Sequence, residues 1–323
     1  MRALRLLRTP FEPGSRAITL ALILMICALC APHIRVPQKT YSYIVVFDIT
    51  QSMNVEDYEL DGMSVSRLAF AREAVRRALR ELPCGSRVGW GAFAEYRTIL
   101  LLAPVEVCAN YNDLLASLQS IDGRMRWANA SEVRKGVYWA MRAAKEVGGK
   151  PDVVFLTDGQ EAPPEVGSGL PLFDDLKRGE PRGWLVGVGG YVPRRIPRTD
   201  DDGKRIGYWR ADEVMQLDDV EADGSGTGAR ARRVPSHEQL SEVREPHLRA
   251  LAAQVGFDYT HLTSLEALDA AMQDSRFARR RSAPADIGWI PALAALLMLA
   301  IRFRPWSIRS GSRRSPPQAH GLA

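Results

Sequence analysis

The sequence predicts an α/β fold, in which a doubly wound, mostly parallel sheet has helices on both faces and is flanked by two transmembrane helices. Apolar segments of strand length alternate with segments of helical periodicity along the centre of the chain. The first such strand, Tyr43 to Phe47, is apolar throughout, as in a parallel strand buried on both faces. An uncharged apolar run lies near each end of the chain.

The predicted strands and crossover helices follow one another in the order that a doubly wound sheet requires. In the first helical segment, apolar residues recur every three or four positions, and arginines occupy most of the positions between them. The helical segments are Ser66 to Leu82, Asn110 to Leu118, Val133 to Val147 and Glu245 to Val255. The later strand segments are Arg87 to Phe93, Thr98 to Leu102, Val153 to Leu156, Trp184 to Val188 and Phe257 to Leu262.

A polar loop directly follows the first strand and carries oxygen-bearing side chains at alternate positions, Asp48, Thr50 and Ser52. A later strand ends in Thr157-Asp158-Gly159. Because ligands of open α/β sheets bind outside the carboxyl ends of the strands, both loops would meet at one edge. Oxygen donors without thiolate or imidazole suit Mg²⁺, Mn²⁺ or Ca²⁺ rather than zinc. The alternative for Asp48 is a helix cap or a loop carboxylate.

These two segments resemble the von Willebrand factor A (vWA) domain and its metal-ion-dependent adhesion site. That site takes D-x-S-x-S after the first strand, a threonine from a later loop, and the aspartate of a strand ending in T-D-G. The resemblance implies a Rossmann-like sheet over residues 41–278 and metal ligands at Asp48, Thr50, Ser52, Ser131 and Asp158. Here Thr50 replaces the family's first serine, and Ser131 replaces its threonine. In this family a protein partner offers an acidic residue to the metal, and Mg²⁺ is the expected cation.

Other segments are similar to particular groups within this family. The apolar runs on both sides of the domain and the segment from Ile196 to Gly203 resemble bacterial Bat-type vWA proteins. Four segments, Asp48 to Met53, Leu82 to Ser86, Pro104 to Asn110 and Thr157 to Pro164, resemble the MxaL-type accessory proteins of methanol-oxidation clusters. The likeness implies a role in maturation, assembly or metallation of a periplasmic enzyme such as methanol dehydrogenase. Other membrane-bound vWA or ATPase accessory proteins are further expected partners.

Charge and hydropathy together predict two membrane anchors. Each apolar run, Ala17 to Ala31 and Ile287 to Ile301, is slightly shorter than a usual spanning helix and is extended by flanking residues. The predicted parts are a basic cytoplasmic N-terminus at 1–16, an anchor at 17–34, the vWA domain at 41–278, a transmembrane helix at 287–303 and a basic cytoplasmic tail at 304–323. The alternative for the first run is a cleaved signal peptide. The domain would face the periplasm from the inner membrane.

The charge distribution argues against nucleic-acid binding. The whole chain carries a net charge of +5, but residues 1–35 carry +4 and residues 276–323 carry +8, so the centre carries −7. An acidic central domain lacks the basic surface that phosphate contacts require. We therefore interpret the terminal arginines as signals of membrane topology.

The cysteines predict one disulfide. Cys84 precedes one strand and Cys108 follows its neighbour, so a hairpin of these strands would bring both to one open end. An oxidising periplasm would permit the bond. The alternative is two free buried thiols. Cys27 and Cys30 lie within the first apolar run, and we assign them no function.

Sequence motifs of common enzyme classes are absent, including H-E-x-x-H, G-x-S-x-G, the P-loop and the Rossmann glycine fingerprint. We therefore expect a binding protein rather than an enzyme. A hydrolase that uses the bound metal and a cell-surface adhesin remain as alternatives. Residues 191–242 are predicted as a loop-rich insertion, with a hairpin at Pro197 to Gly207 and a flexible surface loop at Asp218 to Val234, and no site residue is assigned there.

Overall fold

The computed structural model describes residues 13–29, 34–164, 176–216, 218–221, 232–235, 237–285 and 288–303. The chain divides into two units. One consists of Val36–Ala283, and the other combines the two chain ends, Met1–Arg35 and Pro284–Ala323.

Strands and helices in the described residues are numbered in chain order. The strands are β1 Ile34–Thr40, β2 Ser42–Asp48, β3 Tyr58–Leu60, β4 Met63–Val65, β5 Arg87–Ala94, β6 Arg97–Glu106, β7 Asp152–Thr157, β8 Gly183–Gly187, β9 Arg194–Arg195, β10 Pro197–Thr199, β11 Arg205–Tyr208, β12 Asp218–Glu221, β13 Arg232–Pro235, β14 Leu240–Ser241, β15 Asp258–His261 and β16 Arg279–Ala285. The helices are α1 Pro13–Leu29, α2 Arg67–Glu81, α3 Tyr111–Ser120, α4 Val133–Glu146, α5 Glu245–Val255, α6 Leu265–Met272 and α7 Trp289–Arg302.

The central sheet has six strands in the order β15-β8-β7-β2-β5-β6. All neighbours pair in parallel except β5 and β6, which form an antiparallel hairpin. The apolar strand that opens the domain, β2, lies between β7 and β5, and all of its residues are buried. This arrangement confirms the predicted α/β fold with a mostly parallel sheet, and it brings the loops after β2 and β7 side by side.

Helices cover both faces of the sheet because the side chains of β2 alternate between two hydrophobic clusters. Tyr43, Val45 and Phe47 pack in a cluster with apolar residues of α2, α3 and α6. Ile44 and Val46 pack on the opposite face in a cluster with apolar residues of α4 and α5. The sheet is thus a buried layer, and its polar loops emerge only at its edges.

Several elements differ from the sequence predictions. Helix α6, the hairpin of β3 with β4, and the ladder of β1 with β16 were not predicted. In the insertion, the hairpin expected at Pro197 to Gly207 corresponds to β10 and β11. The surface loop expected at Asp218 to Val234 begins and ends in paired strands, β12 and β13. The glycines at the centre of this segment indicated a loop, so the pairing of its two ends was not predicted.

Helices α1 and α7 contact each other within the unit formed by the chain ends. Ala21 and Ala295 are buried there. Among the described residues, no helix combines the length and the apolar character needed to cross a membrane. The spans expected at 17–34 and 287–303 therefore stay predictions.

A disulfide joins Cys84 and Cys108 at the open end of the hairpin formed by β5 and β6. Their Cα atoms lie 5.3 Å apart, and Arg87 pairs with Glu106 just inside them. The bond therefore ties the segment before β5 to the segment after β6. Cys27 is a free cysteine in the described part of the chain.

We predict that replacing both Cys84 and Cys108 by serine lowers the free energy of unfolding by roughly 3 kcal/mol, because the unfolded chain regains the entropy of an open loop. Urea denaturation would measure the loss, and Cys27→Ser serves as the control, with no comparable effect expected. Peptide mapping without reductant should recover the linked pair. Alkylation of both thiols in the unreduced protein would contradict the prediction.

Candidate metal centre

The loop after β2 is held together by the carboxylate of Asp48. Its Oδ1 atom accepts hydrogen bonds from the Thr50 backbone N–H at 2.9 Å and from Thr50 Oγ1 at 2.6 Å. Thr50 Oγ1 in turn lies 3.2 Å from the Oγ atom of Ser52, a residue of the short 3-10 helix Gln51–Asn54. The alternate positions of the sequence motif thus bring one carboxylate and two hydroxyls together.

The same carboxylate also binds the neighbouring strand. Asp48 Oδ2 accepts a hydrogen bond of 2.6 Å from the hydroxyl of Thr157, the last residue of β7. Burial, followed by the nearby charge of Asp158, raises the pKa of Asp48 to about 7, although the hydrogen bonds from Thr157 and Thr50 act in the opposite direction. A cation bound beside this carboxylate would favour its ionised form. Thr157 was not among the predicted site residues.

Ser131 reaches this edge from the loop that precedes α4. Its backbone N–H and C=O form two hydrogen bonds of 2.7 Å with Ala162, so the loop is fixed against the segment after β7. Its side-chain oxygen is buried and has no hydrogen-bond partner among the described residues. Leaving a hydroxyl unpaired in the interior costs about 1–3 kcal/mol. An unpaired buried oxygen of this kind is suited to bind a metal ion.

A cavity of about 230 Å³ connects three of the five predicted ligands. The hydroxyl residues Thr50, Ser52 and Ser131 line it, whereas Asp48 and Asp158 are fully buried and do not. The predicted residues thus form two layers, with the hydroxyls lining the cavity and the carboxylates behind them. Among the described residues, no group of three or more His, Cys, Asp or Glu side chains could hold a metal ion. The oxygen-only set fits a hard cation such as Mg²⁺.

Asp158 has partners that the sequence analysis did not foresee. Its Oδ2 atom accepts hydrogen bonds from Arg67 Nη1 at 2.7 Å and from Ser241 Oγ at 2.9 Å, and its Oδ1 atom accepts one from the Gln160 N–H at 3.0 Å. The carboxylate is therefore fixed from both sides. One of its bonds comes from the insertion, because Ser241 belongs to β14.

Arg67 is a buried cation at the start of α2. Its Nη2 atom bonds to the carboxylate of Asp57 at 2.7 Å and to the Ser241 carbonyl at 3.2 Å. Burial would lower the pKa of the Arg67 guanidinium, but Asp158 and Asp57 together hold it above its ordinary value. A sequence signal existed, since Arg67 stands one helical turn before Ala71 and so begins the buried stripe of α2.

The insertion forms one rim of the cavity. Gln51 Oε1 accepts hydrogen bonds of 3.1 Å from the Thr199 N–H and from Trp209 Nε1. The Gln160 amide donates a bond of 2.7 Å to Glu238. The loops after β2 and β7 therefore hold the insertion in place, and the insertion contributes residues to the cavity. No site residue was predicted in this region.

We predict that Arg67→Met lowers the free energy of unfolding by about 3–5 kcal/mol, because Asp57 and Asp158 would remain buried without their partner. Chemical denaturation would measure the loss. The matched control is Arg76→Met on the same helix, where the guanidinium and its partner Glu73 are both partly exposed. Exposed ion pairs contribute little, so a similar loss in both variants would contradict the role of burial.

Residues 43–160 match the family model of the von Willebrand factor type A domain. All five predicted ligands lie within this range. A structure of an aerotolerance-related membrane protein from Bacteroides fragilis, carrying multiple mutations to serines, is similar with a TM-score of 0.48 and 16% identity, over 73% of this chain and 98% of that one.

Two relatives extend the similarity beyond the matched domain. A UPF0353 protein from Mycobacterium leprae (strain TN) is 26% identical over 296 residues, which cover 89% of this chain and 78% of that protein. A UPF0353 protein from Mycobacterium sp. (strain KMS) is 30% identical over 252 residues, which cover 74% of this chain and 68% of that protein. The chain therefore belongs to the UPF0353 protein family and contains a von Willebrand factor type A domain.

Proposed function

We propose that this vWA domain binds a divalent cation at the cavity and uses it to hold a protein partner through an acidic side chain. The observation that carries the proposal is the buried Ser131 hydroxyl, which lacks a partner among the described residues and lines the same cavity as Thr50 and Ser52. A buried hydroxyl is normally hydrogen-bonded, so its free lone pairs suit a metal ligand.

The chain supplies this site with ligands and with residues that orient them. The hydroxyls of Thr50, Ser52 and Ser131 would contact the cation, and the Asp48 and Asp158 carboxylates would complete the ligand set from behind. Thr157 and Arg67 fix the orientation of these carboxylates through hydrogen bonds of 2.6 and 2.7 Å. Mg²⁺ is the expected cation, with Ca²⁺ or Mn²⁺ as alternatives. When bound, it supplies a positive centre to which a partner's carboxylate can bind.

Formal charge favours a single divalent cation. The buried guanidinium of Arg67 pairs with the carboxylates of Asp57 and Asp158. The buried carboxylate of Asp48 bonds to neutral donors of Thr50 and Thr157. Among these four charged groups, two negative charges remain uncompensated if all are ionised, which one divalent cation matches. Neutral hydroxyls form the rest of the set. A cation held in this way is not over-neutralised by its own ligands and keeps its attraction for an incoming acid.

The polar groups around the cavity are held in place by hydrogen bonds within the protein, as suits a preformed binding site. The carboxylates that line the cavity, those of Glu161, Glu213 and Glu238, all accept hydrogen bonds from the protein. Their donors include the Val133 N–H, the Arg198 guanidinium and the Gln160 amide. His247 bonds to Glu161 at 3.1 Å, so it is also engaged.

The cellular context of this proposal comes from the sequence. We place the domain at the periplasmic face of the inner membrane, with anchors at 17–34 and 287–303, because arginines flank both apolar runs. The segments similar to MxaL-type proteins support a role in maturation, assembly or metallation of a periplasmic enzyme such as methanol dehydrogenase. Membrane-bound vWA or ATPase accessory proteins would be further partners.

We predict that Ser131→Ala weakens Mg²⁺ binding at least about tenfold, while the melting temperature of the metal-free protein does not fall. Stability should persist because the removed hydroxyl has no partner to lose. The matched control is Ser86→Ala, where the buried hydroxyl accepts a 3.1 Å bond from the Tyr41 N–H. This control should lose about 1 kcal/mol of stability and keep its Mg²⁺ affinity. Calorimetry and thermal denaturation measure the two effects.

The same variants test partner capture. Wild-type protein used as bait in solubilised membranes should retain a partner with Mg²⁺ and release it with chelator. Ser131→Ala should retain less, and Ser86→Ala should behave as wild type. The proposal is wrong if calorimetry shows no binding of Mg²⁺, Mn²⁺ or Ca²⁺ to the folded protein, or if chelator leaves capture unchanged.

Topology provides a separate prediction. Alkaline phosphatase is active only after export, so a fusion after Gly203, in the turn between β10 and β11, should be active. A fusion after Gly321 should be inactive, because nine arginines from residue 276 onward include five beyond the second apolar run. Phosphatase activity of the Gly321 fusion would show that the segment 287–303 does not return the chain to the cytoplasm.

A further inference from the structure

The cavity at the candidate metal centre has a polar floor and an apolar wall. Thr50, Ser52 and Ser131 form the floor. The wall is formed largely by apolar residues of the insertion together with the segment after β7. These residues are Ile196, Trp209, Val214, Met215, Pro163 and Pro164.

Polar atoms in the wall are already engaged within the protein. The indole Nε1 of Trp209 donates to Gln51, so the rest of this side chain offers only carbon to a ligand. The carboxylate of Glu213 accepts hydrogen bonds from Arg198 and from the Arg210 N–H. A ligand that enters from solvent would therefore meet mainly apolar surface on this side.

The size of the cavity limits what it can accept. At about 230 Å³ it is smaller than most sites for small molecules, which measure roughly 300–1,000 Å³. It is larger than an engineered cavity of about 150 Å³ that binds benzene. A space of this size accepts one large apolar side chain beside a carboxylate. The wall is also accessible, since 64% of Met215 is exposed.

We propose that the cavity is a specificity pocket, which selects a partner whose acidic residue is accompanied by a large apolar side chain such as Leu, Met or Phe. The acid binds at the hydroxyl floor, and the apolar group packs on Trp209, Val214 and Met215. The carboxylates of Glu161, Glu213 and Glu238 also line the cavity and disfavour a second acid. The preferred partner segment is thus a single acid beside an apolar residue. The inference rests on the proposed function, because the acid requires the cation.

Three small probes separate the two contributions. Acetate carries only the carboxylate, 4-methylpentanoate adds a branched apolar group, and 4-methylpentanamide keeps that group without the charge. Their affinities for the full chain with saturating Mg²⁺ can be measured by ligand-observed NMR at constant ionic strength. We expect 4-methylpentanoate to bind at least about tenfold more tightly than acetate, since four additional carbons leave water. The amide should bind more weakly than the acid.

Two double variants test whether the preference for 4-methylpentanoate over acetate arises at the apolar wall. Val214→Thr/Met215→Gln makes the wall more polar without adding charge, and it should reduce the preference for 4-methylpentanoate over acetate to about threefold or less. The control is Val192→Thr/Met63→Gln, which changes two residues outside the cavity that are 63% and 66% exposed. It should keep the wild-type preference. Thermal denaturation verifies that both variants fold.

The outcomes distinguish this inference from the proposed function. If calorimetry shows Mg²⁺ binding but acetate and 4-methylpentanoate bind equally, the specificity pocket is wrong and the metal site stands. The same holds if the wall variant keeps the full preference, or if the amide binds as tightly as the acid. If no divalent cation binds, the proposed function fails and the pocket fails with it.

Discussion

The buried ion pairs of Arg67 are the interaction on which this edge of the sheet depends. A guanidinium is costly to remove from water unless charge and hydrogen bonds compensate it. Here Asp57 and Asp158 supply the charge, and Ser241 supplies further bonds. The arginine thereby connects α2, the segment before β3, the end of β7 and the insertion. Gly189 passes so close that an added Cβ would lie 2.7 Å from Arg67 Nε, and its φ of +123° also suits glycine.

Two layers of residues share the chemistry of the site. The inner carboxylates accept hydrogen bonds from other side chains of the protein. Thr157 donates to Asp48, and Arg67 donates to Asp158. The outer hydroxyls of Thr50, Ser52 and Ser131 line the cavity. This division keeps the charged groups out of water and leaves the neutral hydroxyls facing the cavity.

Local patterns in the sequence predicted the sheet well and the site in part. The buried strand β2, the helix behind the Ser66 cap and the two loops that follow β2 and β7 all follow from periodicity and motif spacing. The partners of Asp158 did not follow, because Arg67 and Ser241 are distant from it in sequence. The insertion at 191–242 was predicted, but its contribution to the cavity was not, because Gln51 bonds to Thr199 and Trp209 about 150 residues away. The unpaired state of Ser131 is a property of packing, which no local pattern encodes.

The floor and the wall of the cavity come from different parts of the chain. The floor and the carboxylates behind it lie within residues 43–160, the region that matches the von Willebrand factor type A family model. Most of the wall lies beyond it, in the insertion that Gln51 and Gln160 anchor. Substitutions in the wall therefore change the side of the cavity that lies outside the matched domain. The shape of the cavity on that side can vary without any change in the residues of the floor or in the carboxylates behind it.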